Sequence, residues 1–80
     1  MADKEDAFAN NLHALRLVRG LSQAELARQV GVRAASVVNW ENGMNMPSLR
    51  TSVRLAEVLG CTLDELTGKP LALTASAPEE

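Results

Sequence analysis

The sequence predicts an all-α protein, one compact bundle of five short helices. Three observations carry that expectation. Apolar residues recur at three- and four-residue spacings, and no stretch of useful length alternates at the two-residue period of a strand. Aromatic residues are nearly absent, Phe8 and Trp40 being the two, so the core must be built from Leu, Val and Ala. Such a core suits small packed helices better than a sheet, where aromatic and β-branched residues are enriched. Glycines then punctuate the chain at the ends of the periodic blocks, where a helix C-terminus favours them. Eighty residues allow one small domain, and a chain of that size buries only about 60% of its unfolded surface.

The first helix is marked by Phe8, Leu12, Leu15 and Arg19 on one stripe, with Gly20 as its stop. Ser22 followed three residues later by Glu25 is a capping box, and Leu26, Ala27 and Val30 give the apolar face of a second helix ending at Gly31. That helix is about eight residues, too short to be stable alone. A third block runs from Arg33 to Asn42, with Val37 and Trp40 inward and Gly43 as its end. The loop Met44-Asn45-Met46 follows. Pro47-Ser48 opens a fourth helix whose expected inner face is Val53, Leu55, Ala56 and Leu59, with Gly60 as its stop. Thr62 caps a last short helix carrying Leu63 and Leu66. The folded domain is placed at residues 8–68, with 1–7 and 69–80 as mobile termini. The connection Gly31-Val32-Arg33 is so short that the second and third helices must meet at a steep angle, a helix-turn-helix. The expected shared core is Val30, Val37, Trp40, Leu55, Leu59 and Leu66.

Composition excludes several classes. With one cysteine there is no internal disulfide, and His13 with Cys61 cannot close a four-ligand zinc site. No apolar run approaches the ~20 residues of a membrane span, and the acidic start is no secretory signal. No nucleophile has a base beside it, and no Gly loop is built for phosphate, so no enzyme activity and no cofactor are expected. Soluble, cytoplasmic, reducing surroundings are expected. The net charge of −2 hides an asymmetry. Between Leu12 and Arg54 the bases are Arg16, Arg19, Arg28, Arg33, Arg50 and Arg54 against Glu25 and Glu41, a net +4, while both ends are acidic. Arginine's planar fork suits phosphate; the same arginines also fit a merely solvated face.

Taken together, Leu12-x-x-Leu15-Arg16-x-x-Arg19-Gly20-Leu21-Ser22-Gln23-Ala24-Glu25-Leu26-Ala27, Gly31-Val32, Trp40-Glu41-Asn42-Gly43, Pro47-Ser48, Leu55-Ala56, Leu59-Gly60 and Leu63-Asp64-Glu65-Leu66 resemble the Xre/Cro-type, lambda-repressor-like helix-turn-helix family of bacterial and phage regulators. The resemblance covers about residues 8–68 without a gap. It implies a DNA-binding transcription regulator of five helices, the third being the reader, and a homodimer on a two-fold operator.

By that resemblance Ala34, Ala35 and Asn39 take the main base-facing positions, with Val38 and Arg33 on the same outer face. Asn binds adenine bidentately, and Ala or Val contacts a thymine methyl, so the implied site contains A·T pairs. The two alanines also fit as plain helix formers. Arg33 stands where the family has a hydroxyl cap, and it cannot accept the bonds a cap accepts; a phosphate or a guanine is its alternative partner. Gln23, at the positive N-terminus of the second helix, is placed on the DNA backbone with Ser22, Asn42, Asn45 and Arg50. Gln23 could instead only cap its helix. Arg16 and Glu41 are implied to form a partly buried structural ion pair. His13 is expected at the surface and Cys61 packed. Two roles follow: an operator-binding repressor, or a protein-interaction module on the same fold, an antitoxin or adaptor, docking through the side that carries Val38, Met44 and Met46. The acidic isoelectric point near 5.3 favours the second.

Overall fold

Helix α1 spans Lys4–Val18, and it begins ahead of the expected boundary at Phe8. Residues 4–7, placed with the mobile N-terminus on sequence grounds, are therefore helical. The computed structural model describes residues 4–68, with side chains from residue 7 onward; the other terminal residues expected to be mobile lie outside the described residues.

The remaining helices are α2 (Gln23–Val30), α3 (Ala34–Glu41), α4 (Leu49–Leu59) and α5 (Leu63–Thr67). Local chemistry sets their ends. Ser22 Oγ accepts the Glu25 N–H at 3.0 Å while Glu25 Oε1 accepts the Ser22 N–H at 2.8 Å, completing the capping box of α2. Thr62 and Glu65 repeat the device on α5. Ser48 accepts from Thr51 at the start of α4. Among α2 to α5, only α3 starts without such help: Arg33 makes no side-chain cap bond. Gly31 closes α2 at φ 89°, a left-handed conformation cheap for glycine alone.

Helix α2 packs against α3 and α4, α1 against α3 and α5, and α4 against α5. The six residues expected at the centre are all there, joined by Phe8, Leu12, Leu26, Ala27 and Ala56. Burying one Leu or Phe side chain contributes about 1.5–3 kcal/mol, so this cluster, not intrinsic propensity, holds five short helices together. Cys61 is half-buried against its edge.

One expected core position is wrong. Val53 is exposed, and Ser52 is buried in its place. The buried set on α4 is Ser52, Leu55, Ala56 and Leu59, an i, i+3, i+4, i+7 stripe, and Val53 stands one residue, about 100°, off it. Burying a hydroxyl is tolerable here because Ser52 Oγ donates to the Ser48 carbonyl 2.9 Å away, one turn back on its own helix.

Candidate nucleic-acid interface

Val37 and Trp40 anchor α3 in the core and thereby fix which side faces out. Arg33, Ala34, Ala35 and Asn39 are exposed and Val38 is half-buried, so the five residues expected to read bases share the outward side of this helix. Gly31 and Val32 N–H groups both donate to the Ala27 carbonyl, at 2.8 and 2.9 Å, tightening the turn that sets α3 against α2.

Behind α3 lies a polar network joining three helices. Arg16 on α1 donates through Nε to Glu41 Oε2 at 2.6 Å and through Nη2 to Glu41 Oε1 at 3.0 Å, a bidentate pair with the carboxylate side chain 4% exposed. Arg16 Nη1 also donates to the Leu21 carbonyl at 2.9 Å, tying the α1–α2 turn to the same centre. Burial pushes the Glu41 carboxyl up, but its contacts with Arg16, His13 and Gln23 outweigh it and hold the group below the usual carboxylate range. The hydrogen bond to Glu41 raises Arg16 further above its already high ordinary value.

Two members of the network were not foreseen in these roles. Gln23 Nε2 donates to Glu41 Oε1 at 3.1 Å. His13 Nδ1 lies 3.1 Å from that same oxygen and 3.1 Å from Arg16 Nη2. The three-residue spacing of His13 and Arg16, neighbours on one helix face, was the available signal.

Half of the central arginines have internal work. Arg16 is paired. Arg19, exposed at the end of α1, donates through Nε to the Leu59 carbonyl at 2.9 Å, placing a cation on the negative end of α4. Arg54 Nη1 lies 3.4 Å from the Val30 carbonyl at the end of α2. Arg28, Arg33 and Arg50 are exposed and make no ion pair among the described residues.

The loop after α3 is fixed where it leaves that helix. Gly43 has φ 74°, as its place in the turn requires, and the Met44 N–H donates to the Asn39 carbonyl at 2.9 Å. Asn42 and Asn45 are exposed within or beside it. Ser22, also exposed, uses its hydroxyl oxygen on its own helix. Met44 and Leu49 are each 72% exposed, and Met46 is exposed too.

Residues 12–66 match the helix-turn-helix family model. An HTH-type transcriptional regulator of Archaeoglobus fulgidus, itself uncharacterised, is 36% identical over 55 residues, 69% of this chain and 79% of the relative. The antitoxin HipB of Escherichia coli is 33% identical over 65% of this chain and 55% of its own. Among solved structures, a hypothetical transcription factor from Neisseria superposes with TM-score 0.78 at 31% identity, over 85% of this chain and 78% of that one. The restriction-modification controller protein C.AhdI of Aeromonas hydrophila gives TM-score 0.73 at 34% identity, over 78% of this chain and 94% of that one. Hydroxypropylphosphonic acid epoxidase from S. wedmorenis carries the fold as well, at TM-score 0.75 and 32% identity, but there it makes up only 34% of the chain. The matched region runs from α1 into α5 and covers more than half of the chain, and the chain belongs to the Xre/Cro-type helix-turn-helix family.

Proposed function

We infer that this protein is a sequence-specific, double-stranded DNA-binding transcriptional regulator that represses by occupying its operator. The observation that carries it is the outward side of α3, where Ala34, Ala35, Asn39 and the half-buried Val38 are presented by a helix locked to its neighbour through a short turn. A major groove admits such a helix. Asn39 reads an adenine; the two alanines and Val38 meet thymine methyl groups; Arg33 takes a phosphate or a guanine. Gln23, Asn42, Asn45 and Arg50 hold the backbone, with Ser22 contributing through the helix end it caps. Two copies bind a two-fold operator with half-sites about one helical turn apart. The protein acts by binding rather than by catalysis, without a cofactor, in the cytoplasm of a bacterium or a phage-infected cell; no described helix is long and apolar enough to cross a membrane. In-vitro selection from a random duplex pool tests this: an enriched A·T-containing two-fold site is expected, and a pool that stays random rejects sequence-specific binding.

A second reading, a protein-interaction module, is favoured by one observation. Met44, Met46, Leu49 and Val53 leave apolar side chains exposed on the loop after α3 and on α4, and one relative is an antitoxin. Substituting Met44 and Leu49 with Ser separates the two: DNA affinity is expected to be unchanged if the first reading holds.

A further inference from the structure

We propose that His13 is a proton-dependent positioning residue that decides whether Gln23 is held by Glu41 or released toward the DNA backbone. The backbone role of Gln23 rests on the function proposed above; the switch itself rests on the network alone.

Glu41 Oε1 is approached by three nitrogens: Arg16 Nη2 at 3.0 Å, Gln23 Nε2 at 3.1 Å and His13 Nδ1 at 3.1 Å. A carboxylate oxygen offers about two lone-pair sites, so three donors exceed its capacity. The same His13 nitrogen lies 3.1 Å from Arg16 Nη2. Arginine only donates. The Arg16 contact therefore needs a bare Nδ1, and the Glu41 contact needs a protonated one. One nitrogen cannot serve both at once.

With the imidazole neutral and its proton on Nε2, each donor that meets Glu41 or His13 Nδ1 has an acceptor. Arg16 Nη2 gives one hydrogen to Glu41 and one to His13, and Oε1 takes Arg16 and Gln23. Once the ring is protonated, Nδ1 carries a hydrogen and turns from Arg16 to Glu41. Oε1 then has two cationic donors and one neutral one. A cationic donor adds a full-charge Coulomb attraction to the carboxylate that a neutral amide lacks, so the Gln23 amide is the donor displaced. Among the described residues the charged groups in contact with His13 are Arg16 on its own helix and Glu41 on α3; α2 contributes only the neutral Gln23. The His13 side chain is 53% exposed, so its proton exchanges freely with solvent. Histidine ordinarily changes charge between about pH 5 and 8.

Released, the Gln23 amide stands at the first turn of α2 with both N–H groups free for a phosphate oxygen, and the protonated ring adds a positive charge beside it. DNA affinity is expected to be about two- to fivefold higher at pH 5.5 than at pH 8, the range of a partly exposed charge interaction.

The test has two arms on the full chain. In the first, NMR follows the His13 ring and the Gln23 side-chain amide of the free protein from pH 5 to 8. The amide is expected to shift with the ring titration in the wild type and to stay flat in His13→Asn. An amide that ignores the ring overturns the proposal, whatever the DNA does. In the second, affinity for a duplex recovered by selection is measured at both pH values. His13→Asn is expected to lose the pH dependence, and Gln23→Ala to lose the larger part of it. Full pH dependence retained in Gln23→Ala means that His13 acts by its charge alone, which also overturns positioning. An amide that tracks the ring while affinity ignores pH upholds the switch and rejects Gln23 as a backbone contact.

Discussion

Glu41 cannot lose its arginine cheaply. Arg16→Ala leaves a carboxylate of 4% exposure without its bidentate partner, and removing one partner of such a pair costs about 3–5 kcal/mol. Denaturant unfolding of Arg16→Ala and wild type measures this directly. The sign of the pH effect follows from the depressed carboxyl. The folded state binds the Glu41 proton less readily than the unfolded chain does. The stabilisation is therefore complete above about pH 4.5, the ordinary value, and is lost as pH falls through the lower folded-state value. Urea midpoints between pH 6 and 2.5 are expected to fall less steeply in Glu41→Gln than in wild type. At Gly60, φ 70° is left-handed, and an added Cβ would meet the Arg19 guanidinium that sits on the Leu59 carbonyl. Gly60→Ala is expected to lose at least about 1–2 kcal/mol from the backbone alone, readable as a drop in the thermal midpoint. At the reader, Asn39→Ala is expected to cost about 1–3 kcal/mol at one A·T position and to relax preference there. Gln23→Ala, if Gln23 holds the DNA backbone as proposed, is expected to weaken all sequences alike. Binding titrations against a set of single-base operator variants distinguish the two patterns.

Each helix states its own limits, and α3 states them least. Because Arg33 gives its start no side-chain acceptor, Arg33→Ser is expected to stabilise the free protein by about 1 kcal/mol, seen as a raised unfolding midpoint, while weakening DNA binding by one cation. Most of the element plan was legible in the sequence, since its signals are local: Ser22 with Glu25, Thr62 as a cap, and glycines after the apolar stripes. What escaped it depends on phase and on distance. Val53 looks like core by composition, but orientation on α4 is set by the whole i, i+3, i+4, i+7 stripe, and that stripe includes a serine able to satisfy itself. The Arg16–Glu41 pair came from the resemblance. The addition of Gln23 and His13 to it did not, because contacts 18 and 28 residues apart in sequence exist only after three helices converge. The helical start at Lys4 was missed for a simpler reason: an acidic first turn carries no apolar stripe to reveal it.

For the molecule as a whole, the arginines decide how it meets a polyanion. The central segment carries a net +4, yet Arg16 is paired with Glu41, and Arg19 and Arg54 contact the carbonyl ends of α4 and α2. That leaves Arg28, Arg33 and Arg50 for phosphates, so the logarithmic salt slope is expected to be about −3 per subunit, checked by titration between 50 and 200 mM salt. Dimerisation without DNA is expected to be weak, because an obligate interface of about 2,000 Å² or more is hard to supply from so small a domain; sedimentation at nanomolar concentration measures it. Three spare arginines among the described residues also set how the protein spends its time in a cell. Chromosomal DNA of the wrong sequence retains a regulator mainly through phosphate contacts. A domain that has engaged half its arginines in contacts of its own is poorly retained by that reservoir, so a larger share of its copies remains free. Operator occupancy then follows protein number closely, and a small change in synthesis is felt at the promoter with little buffering from the rest of the genome.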